Sequence, residues 1–289
     1  MDRKALLDAV ENINIWKKHS QRAPHKPLLI LYALGRFQTE RSERFEYEEI
    51  KDSLKGLLID FGPNRKSYDT KDPFVRLQRD GIWHLSIERD SIELNDRWLL
   101  NNHVTGGFNS EVLNLIKQDD NLIRVIAENI LDSHFPESIH EDILSAVGLD
   151  LSHTTRRVRK RDPKFRDKIL RAYGYSCAVC GFNVRMAHQL VGVEAAHIKW
   201  HQAGGPDIES NGLALCSMHH KLFDHGVFTI NNDRRFIVSQ NANGSNGLNE
   251  WLMQFHGKEV RGPNQDIYVP SEDYLLWHVK EVFKGDGRY

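Results

Sequence analysis

Apolar residues at Leu6, Val10 and Ile13, with Leu7 and Trp16 beside them, recur at helical spacing and predict a helix at the start of the chain. The stretch "RAPHKPLLILYALGRF" predicts a second helix. Pro27 fits its first turn, where the N–H that proline lacks has no partner to lose. "YEEIKDSLKGLLIDFG" reads as a third helix, closed by Gly62-Pro63. "DPFVRLQRDGIWHLSI" reads as a short helix, an Asp-Gly turn and a strand. "HVTGGFNSEVLNLI" reads as a glycine loop and a helix capped by Asn109 or Ser110, and two further helical stretches reach Leu149. Downstream, "LVGVEAAHI" alternates like a strand ending at His197, "QAGGPD" is a turn, and "SNGLALC" places Asn211 at a bend. "VFTINNDRRFIVS" reads as a hairpin, and "VPSEDYLLWHVKEVF" has an amphipathic helical pattern. No fixed-period repeat is visible.

At 289 residues and 40% hydrophobic, the chain has enough apolar mass for one large or two ordinary domains. No run approaches the roughly 18 apolar residues of a membrane helix. The N-terminus lacks the apolar core and cleavage site of a signal peptide, so the expectation is a soluble, cytoplasmic protein. Lys and Arg number 39 against 40 Asp and Glu, so the total charge says nothing of a polyanionic partner. Its distribution does. From Arg156 to Arg171 nine basic and two acidic residues give a local charge of 9 − 2 = +7. Such a segment is either a solvated linker or a phosphate contact. A boundary belongs here: one domain over 1–150, a basic linker over 151–165 and a second domain over 166–289.

Three cysteines cannot all pair within one chain. Cys177 and Cys180 form a Cys-x-x-Cys, and Cys216 is followed at the same offset by His219. That Cys3His set has the spacing of a tetrahedral zinc knuckle, and its four protein ligands mark a closed, structural site. If "LCSMHHKLFDHG" is helical, Cys216 and His219 share a face, and His220 is turned about 100° away. His220 then shares its own face with Asp224, four residues on. One helix would carry a zinc pair on one side and a second metal pair on the other.

His197, Asn211 and His220, in strand, bend and helix order around a zinc knuckle, resemble the HNH, or ββα-metal, nuclease family over about residues 165–235. The resemblance implies that His197 is the general base, that Asn211 orients it or helps at the metal, and that His220 binds a catalytic Mg2+ or Mn2+. Asp224 stands where many members have a second ligand. It departs from the family at Ala196, where many members carry a ligand just before the base. Glu194 lies on the same strand face as Ala196 and is not a simple replacement. The residue types suit phosphodiester hydrolysis. A histidine titrates near neutral pH, and a divalent ion neutralises the phosphoryl group and the leaving oxygen.

In the first half, His25 and Lys26 stand at a helix N-terminus, a favourable place for a phosphate. "RAPHKPLLILYAL", "DPFVRLQRDGIW" and "VTGGF", placed ahead of such a module, resemble the sulfur-binding domain of phosphorothioate-dependent restriction endonucleases over residues 20–110. The resemblance implies an apolar cavity for sulfur, with Pro73 in its wall and Asp72 where the family has an aromatic. It also implies DNA contacts from Arg22, His25, Lys26, Phe74 and Arg76, joined by Arg156, Arg157, Arg159 and Lys160 of the basic segment. The fold class expected is α+β: a mainly helical DNA-recognition domain with a small β-hairpin, then a zinc-stapled ββα-metal domain. The function implied is a modification-dependent DNA endonuclease acting on phosphorothioated double-stranded DNA, as a homodimer on DNA. Two alternatives stay open. One is a reader of methylated or hydroxymethylated bases, stacking a flipped base on Trp16, Trp83 or Trp98. The other is a catalytically silent, zinc-containing DNA-binding regulator.

Overall fold

The first predicted helix is α1 (Arg3–Glu11), capped by Asp2, whose carboxylate accepts from the Ala5 N–H at 2.8 Å. Ile13 is buried beyond its end. The computed structural model describes residues 1–15, 21–88, 91–151 and 163–288, so Trp16 lies outside the described residues. The chain divides into two compact units, Met1–Thr155 and Arg156–Tyr289.

The first unit is built on α2 (His25–Glu40). Leu28 to Leu31, Ala33 and Leu34 are all fully buried, so this helix is apolar on nearly every side and lies in the core. Then come β1 (Phe45–Glu46), α3 (Tyr47–Phe61), α4 (Lys71–Arg76), β2 (Trp83–Leu85), α5 (Asp96–Asn101), β3 (Thr105–Phe108), α6 (Ser110–Gln118), α7 (Asp120–His134) and α8 (His140–Val147). Helices α3, α4, α7 and α8 surround α2. Gly35 allows the closest of these approaches. A Cβ there would lie 1.9 Å from the Val147 carbonyl oxygen at the end of α8.

The three strands form one antiparallel sheet in the order β1-β3-β2. "VTGGF", expected as a glycine loop, is therefore the central strand. Its glycines answer to packing. A Cβ on Gly107 would meet the Glu43 carbonyl oxygen at 2.0 Å, and one on Gly106 would meet Phe74 and Trp83 at 2.7 and 2.8 Å. Of the two caps considered for α6, Asn109 is the one used, accepting from the Val112 N–H at 2.9 Å.

In the second unit, α9 (Pro163–Ala172) starts inside the stretch expected as a basic linker. Its apolar face, Phe165, Ile169 and Leu170, is buried against a two-stranded hairpin. Masked by lysines and arginines, this face is a short amphipathic stripe that a charge count overlooks. A small hairpin, β4 (Arg185–Met186) and β5 (Gln189–Leu190), precedes the main one, β6 (Val193–His197) and β7 (Gly212–Cys216). The register of the main hairpin runs from Val193↔Cys216 to His197↔Gly212. β7 was expected only as a bend. All five of its residues are buried, so it lacks the alternation that announces a strand. α10 (Ser217–Asp224) follows at once and completes a ββα unit. The hairpin β8 (Phe228–Ile230) and β9 (Phe236–Val238), then α11 (Asn246–Trp251) and α12 (Glu272–Glu281), close the unit. Both late elements match the hydrophobic pattern. Among the described residues no helix is long and apolar enough to cross a membrane.

Candidate active site and metal centre

The knuckle is shaped before any metal is considered. Gly181 has φ +74°, and its N–H bonds back to the Cys177 carbonyl at 2.9 Å, which curls the chain so that both sulfurs face inward. Cys216 is the residue just before α10, and His219 lies one turn in. The Cys177, Cys180, Cys216 and His219 ligand atoms lie within 4.8 Å of one another. His219 turns Nδ1 toward the sulfurs, 3.1 Å from Cys216 and 3.7 Å from Cys177, and its Nε2 donates to the Trp251 carbonyl at 2.9 Å. That outer bond fixes the tautomer a zinc ligand needs. The donor set fits zinc: three soft sulfurs and one imidazole, all but Cys180 buried.

His197 ends β6 and meets α9. Phe165 stacks on its ring at 4.0 Å between centroids with 10° between planes. Its Nε2 lies 2.7 Å from Asp207 Oδ1. Asn211, expected to orient His197 or to help at the metal, is fully buried. Its Oδ1 accepts from the Lys199 N–H at 2.8 Å, and its Nδ2 donates to the Lys199 and Pro206 carbonyls, each at 3.0 Å. Thus Asn211 pins both ends of the loop that delivers Asp207. Gly205 lets the loop close, since a Cβ there would lie 1.8 Å from the Lys199 carbonyl oxygen. Sequence reasoning missed Asp207 because it was read only as part of "QAGGPD". An acidic residue closing a glycine turn shortly after a strand-end histidine was the available signal.

His220 and His219 diverge as the helical offset predicts. The His220 ring is buried, with Glu194 Oε2 at 2.6 Å from Nδ1 and Asp224 Oδ2 at 3.1 Å from Nε2. Burial opposes charge on this ring, but Asp224 and then Glu194 outweigh it and lift its pKa to about 9. Asp224 also accepts from the Trp200 indole N–H at 3.0 Å. Glu194 accepts from the Ser217 hydroxyl at 2.7 Å.

The residues expected to meet DNA in the first unit divide. Arg22 donates to the Phe61 carbonyl at 2.8 Å, and His25 is half-buried at the start of α2. Burial holds the His25 pKa below its usual value. The Asp69 carboxylate pulls it up and the Arg65 guanidinium pushes it down, so the loop between α3 and α4 faces this ring. Arg76 is exposed and pairs with Asp72 at 3.2 Å, which turns that carboxylate toward a cation. Pro73 is buried in the first turn of α4. Two expectations need correction. Lys26 does not face outward: its ammonium is 2.5 Å from Asp80 and 2.8 Å from the Asn14 carbonyl, in a nearly buried pair. Phe74 has no exposed surface and lies within ring contact of Tyr47 and Trp83. Trp83 is likewise 2% exposed and offers no platform for a flipped base. Arg156, Arg157, Arg159 and Lys160 lie outside the described residues.

A helical domain carrying basic and histidine side chains at one helix start, and in the same chain a ββα unit with a Cys3His cluster and a carboxylate-held histidine, define the class: a nuclease joined to a separate recognition domain. The family model described as "ScoMcrA-like, DNA sulfur-binding domain" matches residues 3–152, and the chain belongs to that family. The model for "HNH endonuclease" matches residues 177–231. Among solved structures, the chain is similar to "Sulfur binding domain of SprMcrA complexed with phosphorothioated DNA", at 18% identity and TM-score 0.44, over 52% of this chain and 95% of that one. It is similar to the corresponding ScoMcrA complex at 18% identity and TM-score 0.42, over 50% and 94%. It is also similar to "Modification dependent TagI restriction endonuclease" at 26% identity and TM-score 0.29, over 46% and 41%. No curated protein sequence matches the chain.

Proposed function

We propose that the protein is a phosphorothioate-dependent DNA endonuclease in which residues 3–152 find the sulfur-marked backbone and residues 177–231 cut it. The observation that carries this reading is the presence of both domains in one chain, with the base histidine of the second already held by a carboxylate.

His197 is the general base. Asp207 on Nε2 favours the tautomer with its proton there, which makes Nδ1 the basic nitrogen that takes a proton from the attacking water. Stacking on Phe165 limits rotation of the ring, and Asn211 holds the loop that carries Asp207. His220, with carboxylates on both sides, fits a hard divalent cation such as Mg2+ or Mn2+. When bound, such a cation supplies charge neutralisation at the phosphoryl oxygens and the leaving oxygen. The Cys3His cluster is the place for structural zinc.

In the recognition domain, Arg22 precedes α2, His25 begins it and Arg65 lies on the loop facing the His25 ring, while Arg76 is exposed at the end of α4, the helix that holds Pro73. Sulfur is larger and less strongly hydrated than oxygen, so an apolar wall loses less by desolvating it. That discrimination is about 1–3 kcal/mol, the size of one methylene-scale difference. A double-strand break needs two scissions, which two copies on one DNA would supply.

Digestion of paired plasmids tests the reading. Phosphorothioated plasmid is cut with Mn2+ or Mg2+ while the same plasmid without sulfur is spared, and His197→Ala binds the modified plasmid without cutting it. Equal cutting of both plasmids removes the sulfur reading. Binding without cutting in either metal turns the protein into a silent DNA-binding regulator.

A further inference from the structure

The two carboxylates on His220 cannot play the same part. They sit on opposite ring nitrogens, Glu194 on Nδ1 and Asp224 on Nε2. The lone-pair directions of those nitrogens diverge, so one cation can take only one nitrogen and only the carboxylate on that side. Among the described residues, the one group of three or more such donor atoms that already converge within 4.8 Å is the Cys3His cluster. The question is which side of His220 faces the hydrolytic ion.

Exposure separates the two sides. The Asp224 side chain is 2% exposed, and its second oxygen accepts from the indole of Trp200, itself buried. A cation placed there would be walled off from water and from DNA. The Glu194 side chain is 43% exposed. It projects from β6 on the face turned to α10, the face it shares with Ala196, which has no donor atom of its own. A longer side chain two residues earlier on the same pleat thus reaches the imidazole that Ala196 cannot assist. The second oxygen of Glu194 is held by the Ser217 hydroxyl at 2.7 Å, so its head group is already oriented.

We infer that Glu194 is the carboxylate ligand of the catalytic divalent cation, beside Nδ1 of His220, and that Asp224 is a positioning residue. Asp224 accepts the Nε2–H of His220 and so keeps Nδ1 turned outward as the coordinating nitrogen. A buried carboxylate behind a metal-binding imidazole, itself tied by a further hydrogen bond, is a recurring way of fixing a ligand ring. This reassigns Asp224 from metal ligand to orienter. The assignment rests on the nuclease reading given above.

Cobalt and manganese distinguish the possibilities in the full chain, with the Cys3His site filled by zinc. Replacing a ligand oxygen by a thiolate gives Co2+ a sulfur charge-transfer band in the near ultraviolet. The expected result is that band in Glu194→Cys, above the wild-type spectrum, and no such band in Asp224→Cys. The reverse pattern overturns the assignment. Because Asp224 is buried, its variant can lose the fold; Glu194→Gln is the surface change that then decides. Its Mn2+ affinity, read by electron paramagnetic resonance, should fall about tenfold or more, and an unchanged affinity overturns the proposal. His220→Ala keeps the two claims apart. If it binds Mn2+ as the wild type does, the nuclease metal site itself is wrong; if it loses Mn2+ while Glu194→Gln does not, only the role of Glu194 is.

Discussion

At the level of single residues, the proposed base His197 leans on a carboxylate from a distant loop. Asp207 accepts from His197 at 2.7 Å and selects the tautomer. Replacing it by asparagine keeps the size but allows an amide N–H to face Nε2, which favours the opposite tautomer. The expected outcome for Asp207→Asn is a fall in kcat of about 10²–10⁴, the contribution of a positioned base. KM and the affinity for phosphorothioated duplex should stay near wild type. Single-turnover cleavage alongside equilibrium binding checks this, and a loss confined to KM would mean that Asp207 serves DNA binding instead. The place of His197 at the end of a strand was legible in the sequence. Its partner was not, because nine residues separate the two, and only the closed 199–206 turn brings them together. Lys26 and Phe74 were misplaced for a related reason. Sequence position marks the start of a helix, but the direction of each side chain depends on what packs there, here Asp80 for one and Tyr47 with Trp83 for the other.

At the level of elements, the ββα unit is built from short pieces. β7 and α10 are five and eight residues long, and α10 opens at a cysteine of the knuckle. Zinc would join the Cys177–Cys180 turn to the start of α10, while His219 extends the tie through Trp251 to α11. Such a site contributes to folding directly, with structural zinc commonly worth about 10–16 kcal/mol of binding free energy in small zinc domains. Cys177→Ser should therefore lose bound zinc and melt the second unit well below the wild type. Metal content by mass spectrometry, followed with circular dichroism melts, gives the comparison; a zinc-free variant with an unchanged melt would show that the aromatic cluster around His219 holds the unit alone. The cysteine spacing made this centre the most readable part of the chain. β3 and β7 were harder. One is built of glycines that packing demands, the other is buried on both faces, and neither displays the alternation from which strands are recognised.

For the whole molecule, a net charge of −1 is compatible with DNA binding because attraction to phosphates is local. The two terms of recognition should separate with salt. Arginine and lysine contacts release counterions and cannot tell a sulfur-marked duplex from a plain one, so log Kd for both should change with log salt in parallel, by about 0.9 per phosphate contact. The sulfur term comes from desolvation at an apolar wall and is electrically neutral relative to the oxygen it replaces. The ratio of the two affinities, about 10- to 200-fold for an effect of this size, should then hold nearly constant from low to physiological salt. Fluorescence anisotropy on matched duplexes, with and without one phosphorothioate, measures both slopes. Parallel lines place selectivity in an apolar wall. Converging lines would place it in charge instead, since a basic side chain gripping the thiophosphate more tightly than the phosphate would give the modified duplex the steeper dependence. Cleavage inherits whichever holds: with a salt-independent ratio, the nuclease stays confined to marked DNA even as total binding weakens, and ionic strength changes how often it cuts without changing what it cuts.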